Sequence, residues 1–366
     1  MTDVRDRAVD VVVVGGGPAG SATALWCARR GLRVALVERE RFPRHRPGET
    51  LPPAVEVLFG QLGVAEVVSR AGFLRHEGTW AEWAGTRRFN AFGSDAAGPW
   101  RGFQAPRDRL DQLLLDAAID AGIIVEQPVR AASVLFDAGK VTGIETPDLR
   151  ISAVWVVDAG GGQHWLARQL GIPRRTMSPR LIARYGYARG QCPSRDDGPE
   201  IVADEAGWTW TAQIDADLYQ WTRLSFTEDD PYRDRPPLVF DTLAPLPPVR
   251  GADVSWRIVE RPAGPGYLCV GDAAAVLDPA SSHGVLKALM SGMMAAHVIA
   301  ENLCTGASAS IAISAYAAWI TNQFNADVAA LSELYHSLAN PPAWVRQVSG
   351  VSSAVIPGGT RARGRS

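Results

Sequence analysis

The chain is 366 residues long, 46% apolar and 21% charged, with a formal net charge of −2. That length holds two or three domain equivalents of roughly 150 residues each, and the apolar fraction is that of a protein that buries a core. A balance so close to neutral gives no electrostatic case for a nucleic-acid partner or an anionic membrane surface.

Charges at Asp3, Arg5, Asp6 and Arg7 precede a short apolar run, Val11 to Val14, which is too short for a secretory signal. No run of roughly 18 apolar residues follows, so no membrane-spanning helix is expected. Cys27, Cys192, Cys269 and Cys304 lie far apart without a CxxC pair. Neither a metal site nor a disulfide framework is therefore expected, and a reducing cytoplasm is the natural compartment.

Residues 9–40 read as strand, glycine turn, helix and strand: Val9–Val14, a helix from Pro18 to Arg30 closed by Gly31, then Arg33–Val37. Residues 54–72 pattern as helix. Residues 79–103, rich in Trp, Phe and Gly, pattern as short strands and loops. A second helix, Arg107–Ala121, ends at Gly122. Strands are expected at Val125–Phe136 and Val141–Thr146, hinged at 137–140, and at Ile151–Asp158. Several strands fall within 180–225, and a Pro- and Asp-rich connection fills 228–250. A strand at Tyr267–Val270 and a long helix from Gly284 to Leu303 follow. The C-terminal part is helical to 346 with a break at Pro341-Pro342, and it closes in a basic tail with Arg361, Arg363 and Arg365.

Within the opening unit, Gly15-x-Gly17-x-x-Gly20 follows a strand and opens a helix. Gly15 permits the tight turn, Gly17 lets the backbone approach a pyrophosphate, and Gly20 allows close helix–strand packing. The helix N-terminus, with Pro18 and Ala19 in its first turn, offers free N–H groups and a partial positive charge to a diphosphate. Glu38, at the end of the second strand, is placed to bind a ribose diol rather than a 2′-phosphate.

A distant segment, YLCVGDAAAVLDPASSHGVLKAL, carries the features of a flavin site. Asp272 leaves the sheet after Gly271, where a ribityl chain passes. Gly284 opens a helix whose positive end faces the pyrimidine edge of an isoalloxazine, an edge that becomes anionic on reduction. These segments resemble the group A flavoprotein monooxygenases, and two further stretches do as well. PRDRLDQLLLDAA places Arg107 and Asp111 at the positions of the family's Arg-x-x-Phe/Leu-Asp helix. VVDAGGGQHWLARQLG resembles the family's Asp-Ala-x-Gly-Arg stretch, with Gln163 where Arg is usual and His164 and Trp165 replacing small residues. RPGETLPP and Gly207-Trp208-Thr209-Trp210 resemble the branch that holds tryptophan halogenases and LodB, GoxB and QhpG, flavoproteins of tryptophylquinone maturation.

The resemblance implies FAD as cofactor. It implies an α/β, para-hydroxybenzoate-hydroxylase-type FAD domain, with a Rossmann-like βαβ unit and mixed sheets, an inserted β-rich substrate domain and C-terminal helices. The FAD-binding domain is expected over 1–75, 102–180 and 255–305, the substrate domain over 76–101 and 181–254, and a helical segment and tail over 306–366. Arg39, Arg46, Thr50, Val129, Pro279, Ser282 and Val285 join the cofactor set. Tyr316, Phe324, Tyr335 and Trp344 follow an aromatic spacing that also serves as ordinary helix core.

Tryptophan halogenases direct hypohalous acid with a buried lysine after their Gly-Glu segment. This chain has only Lys140 and Lys287, and none between Gly72 and Trp100. On that ground hydroxylation is expected rather than halogenation. The expected enzyme is a flavin-dependent monooxygenase acting on an indole or other aromatic group, with a tryptophan carried by a partner protein as one substrate class and a free aromatic metabolite as the other. A reductase or dehydrogenase that avoids oxygen keeps the same FAD motifs. Trp80, Trp208 and Trp210 are candidates for the pocket wall, since residues two apart in a strand share a face. His283, before the flavin-facing helix, is expected to be a neutral imidazole with a catalytic role. Glu49 is expected to order Arg46 or a substrate group. No second dinucleotide fingerprint is visible, so reducing equivalents arrive from NAD(P)H bound transiently or from a separate flavin reductase.

Overall fold

A computed structural model of the chain describes residues 5–193 and 198–352. The basic tail with Arg361, Arg363 and Arg365 lies outside the described residues.

The opening strand, Arg5–Val14, lies inside an eight-stranded mixed sheet. Its second half is almost entirely apolar and buried, as a parallel interior strand covered on both faces requires. It pairs in parallel with Val34–Val37 on one side and Leu149–Asp158 on the other. Ile124–Glu126 extends the sheet beyond Val34–Val37, and Tyr267–Cys269 joins Leu149–Asp158, both in parallel. The chain thus delivers the Gly-rich turn, Glu38, Asp158 and Gly271-Asp272 to the same edge, the carboxyl ends of parallel strands, where open α/β sheets bind ligands.

Helix Pro18–Arg29 crosses over this sheet and packs against helix Gly284–Thr305. They approach so closely that a Cβ on Gly292 would lie 2.3 Å from the Ala19 carbonyl oxygen. Helix Arg107–Asp120 buries Leu110, Leu114, Leu115 and Ala118, spaced three and four apart.

A second sheet has seven strands in the order Ala244–Asp253, Ile182–Arg189, Leu218–Ser225, Gly207–Asp215, Glu200–Asp204, Gly78–Glu82 and Arg87–Ala91. All neighbours are antiparallel except Glu200–Asp204 with Gly78–Glu82. Helices Ala309–His336 and Ala343–Ser352 close the molecule. Tyr316, Phe324 and Tyr335 are buried core, and Trp344 meets Trp256 edge-on at 5.0 Å. Tyr316 also donates its hydroxyl to the Cys269 carbonyl at 2.8 Å.

Three expected elements differ. The helix over 54–72 is two helices, Val55–Leu62 and Ala65–Arg70, broken at Gly63, which adopts a left-handed φ of 75°. The strand over 125–136 stops at Glu126 and resumes at Ser133, because Pro128 has no N–H to give a ladder. The connection over 228–250 contains a strand, Ala244–Asp253, whose prolines are tolerated because it lies at the sheet edge. Among the described residues no helix is long and apolar enough to cross a membrane, and no His/Cys/Asp/Glu group is arranged to hold a metal.

Candidate active site

A cavity of about 1420 Å³ runs from the Gly-rich turn to the inner face of the seven-stranded sheet. Single small-molecule sites occupy roughly 300–1,000 Å³, so this space accommodates an extended cofactor with a second ligand beside it.

At the turn, Gly15 has φ 109°, and a Cβ there would lie 2.4 Å from the Ala159 carbonyl oxygen. A Cβ on Gly20 would lie 1.8 Å from the Gly15 carbonyl oxygen. Gly20 therefore serves packing and does not face the cavity, whereas Gly15, Gly17, Pro18 and Ala19 do. No side chain caps helix Pro18–Arg29. Glu38 is buried, and its two oxygens accept the N–H groups of Gly16 at 2.7 Å and Glu40 at 2.9 Å. A carboxylate has about four lone-pair sites, so each oxygen keeps one for a ribose hydroxyl.

Sequence reasoning missed Arg44. Its side chain is 9% exposed, stacks on Phe42 at 4.5 Å, and lies 3.4 Å from Asp111. A Cβ on Gly17 would sit 3.2 Å from its Nη2, which puts the guanidinium over the point where a pyrophosphate enters. Its Nε has no partner. Burial lowers its pKa, with the nearby Asp111 and Glu38 opposing. A desolvated cation above a bare helix N-terminus fits a diphosphate. The signal available in the sequence was the density of arginines just after Glu38. Arg107 makes a fork to Asp111 at 2.8 and 3.0 Å and donates to the Pro47 carbonyl at 3.0 Å. Arg39, Arg46, Thr50, Val129, Asp272, Pro279, Ser282, Gly284 and Val285 line the cavity. Gly271 does not line it; its N–H donates to Ser291 and it packs against Ala19.

The flavin-side loop is held by Asp278. This buried carboxylate accepts from Trp256 Nε1 at 2.6 Å, Ala280 N at 2.9 Å and Tyr335 Oη at 3.1 Å. Burial pushes its pKa up to about 6 against those bonds. Ser282 takes a left-handed φ of 55°, a conformation costing a non-glycine residue about 1–2 kcal/mol. It turns the chain so that His283 becomes the N-cap of helix Gly284–Thr305, with no side-chain capping bond. His283 opens into the cavity, and burial together with the nearby Lys287 holds its imidazole below the usual pKa. Lys287 itself pairs with Asp327 at 2.6 Å. His164, one of the departures from the family pattern, ties the neighbouring turn to this loop. Its Nδ1 meets the Ala273 carbonyl and its Nε2 accepts from Arg257 Nε, both at 2.9 Å.

Glu49 does not order Arg46, which pairs with Glu40. Its carboxylate accepts from Tyr187 Oη at 2.5 Å and Gly48 N at 2.8 Å. Burial raises its pKa, with the Tyr187 hydrogen bond and Arg107 opposing. Opposite the flavin side, one face of the second sheet forms a floor with Tyr185, Trp210, Gln220 and Thr222. Of the three tryptophans expected in the wall, only Trp210 is there. Trp208 shares its face but is fully covered and donates to Tyr335 Oη at 2.8 Å. Trp80 alternates to the opposite face, where Arg87 stacks on it at 3.9 Å. His76, also missed, is buried in the wall, with Nδ1 2.9 Å from the Gly78 carbonyl oxygen.

A family model described as FAD binding domain matches residues 8–186. A tryptophan 2-halogenase of Chondromyces crocatus is 31% identical over 317 residues, spanning 78% of this chain and 60% of that protein. A brominase of 1H-pyrrole-2-carbonyl on a peptidyl-carrier protein, from Pseudoalteromonas luteoviolacea, is 27% identical over 81% of this chain and 78% of that protein. The chain carries an FAD-binding domain and is similar to flavin-dependent halogenases. The solved structure of the myxobacterial chondrochloren halogenase CndH superposes with TM-score 0.83 over 96% of this chain and 92% of that one. At 24% identity this likeness speaks for the α/β flavoprotein fold alone.

These findings agree with the expected fold and FAD, and with a flavin-dependent oxidoreductase. They overturn the expectation of hydroxylation, for free and protein-borne indoles alike: the relatives described here are halogenases. The missing lysine was given too much weight. The stretch after Gly48-Glu49 does bring a titratable side chain into the cavity wall, His76, whose pKa burial lowers.

Proposed function

We propose that this flavoprotein halogenates an electron-rich aromatic ring held between the flavin and the Trp210 floor. The observation that carries the reading is the continuity of one cavity from Gly17 and Arg44 to that floor. It is supported by relatives named for the halogenation of an indole and of a pyrrole. Reduced FAD, when bound, would give two electrons to oxygen, and the oxygen so activated would oxidise a halide to an electrophilic halogen, leaving oxidised flavin and water. A separate flavin reductase or transient NAD(P)H supplies the electrons.

The chain's own residues bind, orient and handle protons. Gly15, Gly17, Glu38, Arg44 and Asp272 hold the cofactor. The bond set of Asp278 fixes the loop that aims helix Gly284–Thr305. His283, its imidazole held below the usual pKa, accepts the proton that an aromatic ring releases on substitution. Glu49 anchors Tyr187 and keeps the wall between the flavin side and the sheet closed to water.

The test uses purified holoprotein with a flavin reductase, NADH, oxygen, bromide and either indole or a pyrrole-2-carboxamide. Product carrying the bromine isotope doublet in mass spectrometry is expected. Oxygenated product without bromine, or NADH and oxygen consumed with no halogen incorporated into either ring, overturns the reading.

A further inference from the structure

Gln220 is 3% exposed, yet it belongs to the cavity floor. Both of its amide hydrogens are committed: Nε2 donates to the Trp221 carbonyl at 2.8 Å and to Thr222 Oγ1 at 2.6 Å. The opposite amide orientation would set Oε1 against the Trp221 carbonyl, acceptor against acceptor, so the hydrogen-bond pattern fixes which end faces the cavity. Oε1 accepts no hydrogen bond and is not among the sealed polar atoms. A buried amide with its donors tied down thus presents a bare carbonyl oxygen.

Aromatic side chains flank that oxygen: Tyr187 is the direct cross-strand partner of Gln220, and its hydroxyl is held by Glu49. Trp210 and Thr222 are direct cross-strand partners, and Tyr185 pairs with Thr222 on the other side. Thr222 Oγ1 already accepts from Gln220, which leaves its hydroxyl hydrogen to donate. Arg250 ends this row on the edge strand, exposed and cross-strand from Tyr185.

We propose that the floor is a recognition site for a flat, uncharged heteroaromatic ring with a ring N–H, which donates to Gln220 Oε1 while the ring packs on Trp210. Rings that place an oxygen or a carbon where the N–H should be leave the Gln220 carbonyl without its donor, and a site built to hydrogen-bond an N–H rejects the analogue lacking it. That this ring is the group halogenated rests on the function proposed above; that the floor selects for the N–H does not.

The experiment therefore reads binding alone, by isothermal titration of oxidised holoprotein without halide or reductant. Indole is compared with benzofuran, a ring of similar shape in which oxygen replaces N–H. Wild-type protein is expected to bind indole roughly ten- to a hundred-fold more tightly. Gln220→Leu is expected to bring indole to the benzofuran level and to leave benzofuran no weaker, with flavin occupancy and circular dichroism confirming the fold. Trp210→Leu is expected to weaken both rings in parallel. Should Gln220→Leu not fold, the wild-type comparison and Trp210→Leu still decide. Equal binding of the two rings, binding of neither at millimolar concentration, or undiminished indole binding by a folded Gln220→Leu variant overturns the proposal. Bromination failing while N–H discrimination persists removes the function reading and leaves this one standing.

Discussion

Replacing Arg44 by Met should cost FAD affinity while sparing the fold. The aliphatic stem packs on Phe42 and Met retains that contact; the guanidinium is what is lost. Asp111 is not orphaned, because Arg107 still holds it through two bonds at 2.8 and 3.0 Å. In the absence of cofactor Arg44 is a poorly compensated cation: its one ion pair is 3.4 Å long and its Nε is unpartnered. Its removal should therefore leave the apoprotein as stable as before or slightly more so. Against a diphosphate the same group makes charge-assisted hydrogen bonds worth about 2–3 kcal/mol, so the dissociation constant for FAD should rise roughly 30- to 150-fold. Fluorescence titration of apoprotein with FAD measures the constant, and denaturant unfolding of apoprotein measures the stability. Arg44→Lys should recover only part of the loss, since a point charge replaces a fork. If Arg44→Met binds FAD with wild-type affinity, the guanidinium does not meet the pyrophosphate and the assignment built on Gly17 is wrong.

Gly17→Val should empty the site of flavin, because its side chain would occupy the gap between the turn and Arg44; the absorbance ratio of purified protein reports it. His283→Ala should retain FAD and lose brominated product, with reducing equivalents appearing as hydrogen peroxide, and unchanged coupling would return His283 to a packing role. Asp278 has a folded pKa of about 6 against an unfolded value of 3.8, so between those pH values the folded state binds more protons and stability falls as pH rises. The full effect is up to about 3 kcal/mol, and Asp278→Asn should flatten the corresponding slope in denaturant midpoints measured from pH 4 to pH 6.

The flavin half of the molecule was legible because each of its demands acts locally. Gly15 must accept a left-handed backbone, Gly20 must let its helix touch the strand, and Glu38 must end a strand next to that turn. Each demand restricts residue type at a fixed spacing: a Cβ on Gly15 or Gly20 would come within 3 Å of a backbone oxygen, and Glu38 accepts the Gly16 N–H at 2.7 Å. Arg44 escaped because its position depends on how the loop just after Glu38 folds back over the helix N-terminus, and no periodicity encodes that fold. The strand Ala244–Asp253 escaped because its prolines argue against a ladder unless the strand is known to be an edge, which is a property of the assembled sheet.

The substrate side shows why a rule that works within a strand fails across a sheet. Trp208 and Trp210 do share a face, as spacing required, but the C-terminal helices cover one end of that face. Tyr335 caps Trp208, and the cavity begins only at Trp210. Trp80, on a neighbouring strand, has the opposite parity, since its register partner is Glu200 while Ala81 pairs with Ile201. Register between strands, not alternation along one, decided which aromatic groups face the substrate. The same limit applied to the reaction. Counting lysines tested one residue type in one stretch of chain, whereas the cavity is assembled from several elements. Its wall brings in His76 from beside Gly78, His283 from a helix cap and Gln220 from the middle of a sheet. The chemistry that this cavity allows depends on those groups together; His283 was visible beside the flavin-facing helix, whereas neither His76 nor Gln220 stands in a motif that spacing alone could single out.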